Sequence, residues 1–192
     1  MKRFLVAGAA VLVAAVVAIP TLASANGTTA KHDRAAKKGG WIVCREHPVL
    51  HISPPLTLSS PQPATFAVSD VLESCNSSDP TIDRGIAVAK FASSAASCMG
   101  GPITGVARIR WNNGRTTMAK FSGSYGGGFA MASGQITGGS EFLGQPFAGL
   151  DKLNIDAIAL QLCQSPMGLS MVAADGQISI GKTSILGAAY TP

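Results

Sequence analysis

Three groupings of residues in the 192-residue chain have the types and spacing to do chemistry. Gly176-Gln-Ile-Ser-Ile-Gly181-Lys182-Thr183 matches the phosphate-loop pattern of a glycine, four residues, then Gly-Lys-Thr. That pattern cradles phosphate when its backbone N–H groups open a helix inside an α/β domain. Here Ile178 and Ile180 alternate as in a strand, and too little chain follows Thr183 to build the helix and parallel sheet. The reading is a late strand with a solvated lysine. Cys44, His47 and His51 have a metal-like C-x2-H-x3-H spacing. A fourth ligand is missing, and Pro48 interrupts any helix that would align the histidines. The expectation is no metal and no other cofactor. The third grouping is carboxylates, at Asp70, Glu73, Asp79, Asp83, Glu141, Asp151, Asp156 and Asp175. Most look like turn residues, where Asp bonds its own backbone. A Ser–His hydrolase is excluded from the segment after Ala64, because His32, His47 and His51 all precede it. No catalytic residue is expected, and the chain is not read as an enzyme.

The elements that carry these residues begin with a leader. Lys2 and Arg3 precede an apolar run from Phe4 to Ile19, Pro20 breaks it, and Ala23-Ser24-Ala25 has the small-x-small cleavage pattern. The run is shorter than the roughly 20 residues of a spanning helix. Residues 1–25 are therefore a signal peptide and the protein is expected to be secreted, with no membrane span. Residues 26–40 are polar and basic, hold Lys31, Arg34, Lys37 and Lys38 against Asp33, and lack the apolar content to fold alone. Residues 41–63 carry five prolines and read as an extended crossing segment or edge strand. A domain from 64 to 192 completes the chain.

Charge sharpens this division. The formal net charge is +5. Lys2 and Arg3 contribute two of these and the tail three, while nine Lys/Arg and nine Asp/Glu balance from Trp41 onward. A nucleic-acid partner, which needs a basic folded face, is not expected.

The domain reads as all-β, an antiparallel sandwich or barrel with a flexible N-terminal tail and two disulfides. Asn112-Asn113-Gly114 between alternating runs predicts a hairpin, since Asn and Gly tolerate positive φ. Ala107, Ile109 and Trp111 share one face of its first arm, and Val106, Arg108 and Arg110 share the other. Trp111 is therefore read as core with the arginines solvated. Further strands are expected over Gly85–Phe91, Phe129–Thr137 and Glu141–Phe147. Ile155–Cys163 is also read as strand, and Gly168–Ile180 as strand with a turn or bulge at Asp175-Gly176. Export makes an even cysteine count a disulfide framework. Of three connectivities, Cys75–Cys98 with Cys44–Cys163 is favoured, because the first closes a local loop.

The order of Cys75 and Cys98, the hairpin Gly105-Val-Ala-Arg-Ile-Arg-Trp-Asn-Asn-Gly-Arg-Thr-Thr117, Gly134-Gln-Ile-Thr-Gly-Gly139 and Cys163 resembles a family of small secreted actinobacterial β-proteins. The resemblance covers residues 64–182 and carries no catalytic residues. Exported proteins of this type also resemble the small adaptor subunit of streptomycete umbrella toxin particles. That resemblance implies a non-enzymatic bridge between a repeat-bearing toxin chain and a lectin-bearing subunit. The matching feature is the basic tail, which would dock into a cleft of the latter. The leading expectation is thus a secreted protein–protein interaction module whose partners are other secreted proteins. The alternatives are a barrel binding a small ligand or glycan in an apolar mouth near Trp111 or Phe129, and a spacer with weak cell-wall association through the tail.

Overall fold

Burial alternates residue by residue along most of the chain, as it must when strands face a core on one side and water on the other. The structure is a computed structural model that describes residues 39–58 and 60–182. Nine strands follow in order: β1 (Ile42–Glu46), β2 (Val49–Leu56), β3 (Gln62–Ser77), β4 (Gly85–Ala96), β5 (Gly100–Trp111), β6 (Thr116–Gly126), β7 (Phe129–Gly139), β8 (Pro146–Leu153) and β9 (Leu169–Ile180). One helix, α1 (Ala157–Gln164), lies between β8 and β9. All pairings are antiparallel.

β1 and β2 occupy one stave. Arg45 opposes Glu73 and Val49 opposes Ser69, so the register on β3 continues unbroken across His47-Pro48. The register on β9 continues likewise, from Glu46 opposite Gly176 to Val49 opposite Ala173. With β3 also paired to β4, the sheet closes into an eight-stranded antiparallel barrel. This corrects the expectation of an edge strand or crossing segment over 41–63. Residues 42–56 of this stretch form an integral stave and Gln62-Pro63 open β3, and the stave's prolines fall where a ladder bond is not required. Pro48 sits at the junction of β1 and β2, and the β9 pairing shifts register between His51 and Leu56, around Pro54 and Pro55.

The hairpin at Asn112-Asn113-Gly114 is present, with Gly114 at φ 80°. Trp111 is buried and faces inward with Ala107 and Ile109, while Arg108 and Arg110 face outward. Three local expectations are corrected. Residues 157–164 are helix rather than strand, because the Asp156 carboxylate accepts the Ala159 N–H at 2.8 Å and caps a run of helix-forming Ala, Leu and Gln. Glu141 lies in the loop before β8, where Phe142 takes φ 58°. Asp175-Gly176 is neither turn nor bulge; β9 runs straight through it.

All four cysteines are paired, as Cys44–Cys75 and Cys98–Cys163. The favoured pairing fails for a geometric reason. The twelve residues of β4 carry the chain from the end of the barrel near Cys75 to the other end, where Cys98 sits in the β4–β5 turn. That is about 40 Å of strand, far beyond disulfide reach. Cys44 instead meets Cys75 on adjacent strands at the bulge where Ser74 adopts φ 49°. Cys98 holds Cys163 of α1 against the opposite end.

The core divides accordingly. One cluster, around Trp111, Phe142, Ile42, Ile109 and Ile180, fills the end near the β5–β6 turn. A second, around Leu50, Phe66, Ile103, Leu169 and Ala159 of α1, fills the other.

Candidate functional site

Between the two clusters, beside Phe121, which packs against both, several inward positions are small or acidic. Ala87 and Ala89 of β4, Ala132 of β7 and Gly149 of β8 face the waist of the barrel. The space they leave is a cavity of about 140 Å³, which extends toward the α1 end past Leu153, Ile155 and the Gly126-Gly127-Gly128 turn. Its lining contains no lysine, arginine, histidine, serine or threonine.

Three carboxyl groups line this otherwise apolar space: Glu46, Asp70 and Asp151. Glu46 on β1 and Asp151 on β8 both pair with Gly176 on β9, so they occupy one rung on either side of a missing side chain. A Cβ at Gly176 would overlap Asp151 Oδ1. The glycine therefore lets the two carboxyls meet across β9, and they hydrogen-bond each other.

Their protonation follows from position. Burial raises Glu46 well above the usual carboxylate range, and the charges of Asp151 and Asp70 push it further. Glu46 thus holds the shared proton and donates to Asp151. Burial also raises Asp151, to about 6, with the Glu46 hydrogen bond opposing the shift. At neutral pH the pair carries one negative charge. Asp151 Oδ1 is buried and, apart from the shared proton, receives no N–H or hydroxyl donor among the described residues. Asp70 is raised by burial too, but its oxygens accept N–H bonds from Val71 at 2.7 Å and His47 at 3.2 Å, which offset the shift. The His47 ring lies outside the barrel, where Nδ1 donates to Asp175 at 2.6 Å, a bond that raises the imidazole above its ordinary value.

The residues singled out in the sequence fare differently. Trp111 lies at the packed end, with its Nε1–H donating to Thr117 Oγ1 at 2.8 Å, and Phe129 is exposed. Neither side chain lines the cavity, which lies away from Trp111 but is bounded by Gly128 and Ala130, the neighbours of Phe129. Cys44 is in a disulfide, and among the described residues no cluster of His, Cys, Asp or Glu is arranged to hold a metal ion. Lys31, Arg34, Lys37 and Lys38, with the expected leader, lie outside the described residues.

Glu46 falls in the proline-rich stretch and is not among the candidate carboxylates, and Asp151 is among them with no partner assigned to it. A signal for both existed. Ile42-x-Cys44-x-Glu46 and Phe147-x-Gly149-x-Asp151-x-Leu153 place an acid on the apolar phase of an alternating strand.

Comparison with protein-family models, with curated proteins and with solved structures yields no match to the chain.

Proposed function

We propose that the barrel binds a small molecule made of one compact apolar group and one protonated amine. The observation that carries this reading is a buried carboxyl pair that meets no cation among the described residues, at the waist of an apolar cavity. An eight-stranded barrel has an interior wide enough either to fill with side chains or to hold one small ligand. At about 140 Å³, this cavity is close to the roughly 150 Å³ engineered cavity that accepts benzene. An ammonium group donating to Asp151 would supply a charged donor that the lining lacks and neutralise the pair. Charge-assisted bonds of this kind are about twice as strong as neutral ones. The tail-docking reading rests on residues outside those described, and the cavity favours the ligand over it.

Benzylamine, benzyl alcohol and toluene separate the contributions, since they share a ring and differ in the donor. Isothermal titration near pH 7.5 should show benzylamine binding at least tenfold more tightly than the neutral pair. Asp151→Asn should abolish that preference while leaving toluene affinity unchanged. Binding should weaken as pH falls through about 6, where Asp151 takes up its own proton. Equal affinity for all three probes, or none for any, overturns the proposal.

A further inference from the structure

The balance of charge from Trp41 onward conceals a segregation that closure of the barrel turns into a face. Between residues 84 and 140 there are six Lys/Arg and no Asp/Glu. This stretch supplies β4 to β7, one continuous side of the wall. Two of the six are engaged: Arg84 lies near Asp83, and Arg115 pairs with Asp79 and Glu141. The other four, Lys90, Arg108, Arg110 and Lys120, point outward on β4, β5 and β6, are exposed and make no ion pair among the described residues.

The register interleaves them with aliphatic side chains. Val106 lies between Lys90 and Lys120, and Arg108 lies between Val88 and Met118. Ile86 lies beside Arg110 on one side and opposite Val71 on the other. Ile86, Val88, Val106 and Met118 are 46–55% exposed. Three strands make this patch about 10 Å wide.

We propose that this outer face of β4–β6 adsorbs to the surface of an anionic phospholipid bilayer. Phosphate groups would meet the four cations, and the aliphatic side chains would enter the boundary between headgroups and acyl chains. Both halves of the pattern are needed for such a surface. A nucleic acid or other soluble polyanion would use the cations and leave the aliphatic rows in water, and the patch offers no outward aromatic ring for base stacking. Strand addition is also excluded, because β4, β5 and β6 each have both neighbours in the ladder.

Each Lys or Arg close to an anionic surface raises partitioning about fivefold. Sedimentation of the secreted form, starting at Asn26, with phosphatidylcholine vesicles and with mixed phosphatidylcholine–phosphatidylglycerol vesicles tests the proposal. Binding should occur only to the mixed vesicles and fall as salt rises. Arg108→Glu with Arg110→Glu should reduce it by roughly a hundredfold or more, and the milder Arg108→Gln with Arg110→Gln should give an intermediate loss. Lys152→Glu, on β8, should leave binding unchanged, and the tail cations are common to every variant. Val88→Ser with Met118→Ser should weaken binding several-fold at constant charge. Full binding by the arginine variants overturns the proposal. So does an unaffected Val88/Met118 variant together with arginine-dependent capture by heparin, which would assign the face to a soluble polyanion. A far-UV melt of each variant reports that the barrel is formed.

Discussion

Two buried acids occupy two regions of the same barrel and are treated in opposite ways. At the packed end, the fully buried Glu141 receives Arg115 Nη1 on its Oε2 at 2.6 Å, and the same guanidinium reaches Asp79 at 3.3 Å. Around them Trp111 packs edge-on against Phe142, and Thr117 links the indole to the backbone carbonyl of Glu141. There a guanidinium of the protein itself faces the carboxylate and side chains fill the volume, although Glu141 Oε1, like Asp151 Oδ1, is buried without an N–H or hydroxyl partner among the described residues. At the waist, Glu46 and Asp151 share a proton and meet no cation among the described residues, beside alanines and glycines that leave space. A buried charge without a partner is costly, so the second region holds a proton instead. The contrast teaches that burial alone does not identify a functional acid; a missing counter-ion beside unfilled volume does.

Removing the cation at the packed end should have the largest effect. Arg115→Met leaves Glu141 buried without its partner, and urea denaturation should show a loss of about 3–4 kcal/mol. A loss below about 1 kcal/mol would mean that Glu141 is solvated and the two regions are alike. Asp151→Asn should act in the opposite direction. A carboxyl raised to about 6 in the folded state binds its proton more tightly there than in the unfolded chain. The folded state is therefore penalised above pH 6 and relieved as pH falls toward 4, by about 3 kcal/mol in full. The variant should exceed the parent in stability at pH 7 by up to that amount, and the gap should close on acidification. A gap independent of pH would remove the proposed titration. The smallest effects come from added methyl groups. Ala132→Val fills part of the cavity and should stabilise by about 1 kcal/mol while blocking benzylamine. Ala119→Val, in the packed cluster, should destabilise by about 1–2 kcal/mol. Equal thermal shifts would show that the waist is as full as the end.

Much of this was legible along the chain. Alternation at Ala107, Ile109 and Trp111 separates core from surface, and Asn113-Gly114 marks the hairpin, because both are rules of local backbone geometry. What was missed depended on distant partners. Ala157–Gln164 has helix-forming composition, but its strand neighbours argued for strand until the Asp156 cap decided otherwise. Gly176 looks like a turn glycine, yet its role is to vacate a rung between β1 and β8. The cysteine pairing turned on the length of β4, which separates Cys75 from Cys98 despite their closeness in sequence.

By itself the sequence determined the all-β class, the hairpin, the inward tryptophan and the presence of two disulfides, since these follow from side-chain period, turn chemistry and residue count. Only the tertiary structure decided that the sheet closes, that β1 and β2 form one stave, and that Glu46 and Asp151 meet. Closure brings strands distant in sequence into register, and local patterning carries no information about which rungs will coincide. The same holds for charge. Lys90, Arg108, Arg110 and Lys120 are balanced in a sum over the chain, and become one face only when three strands are laid side by side.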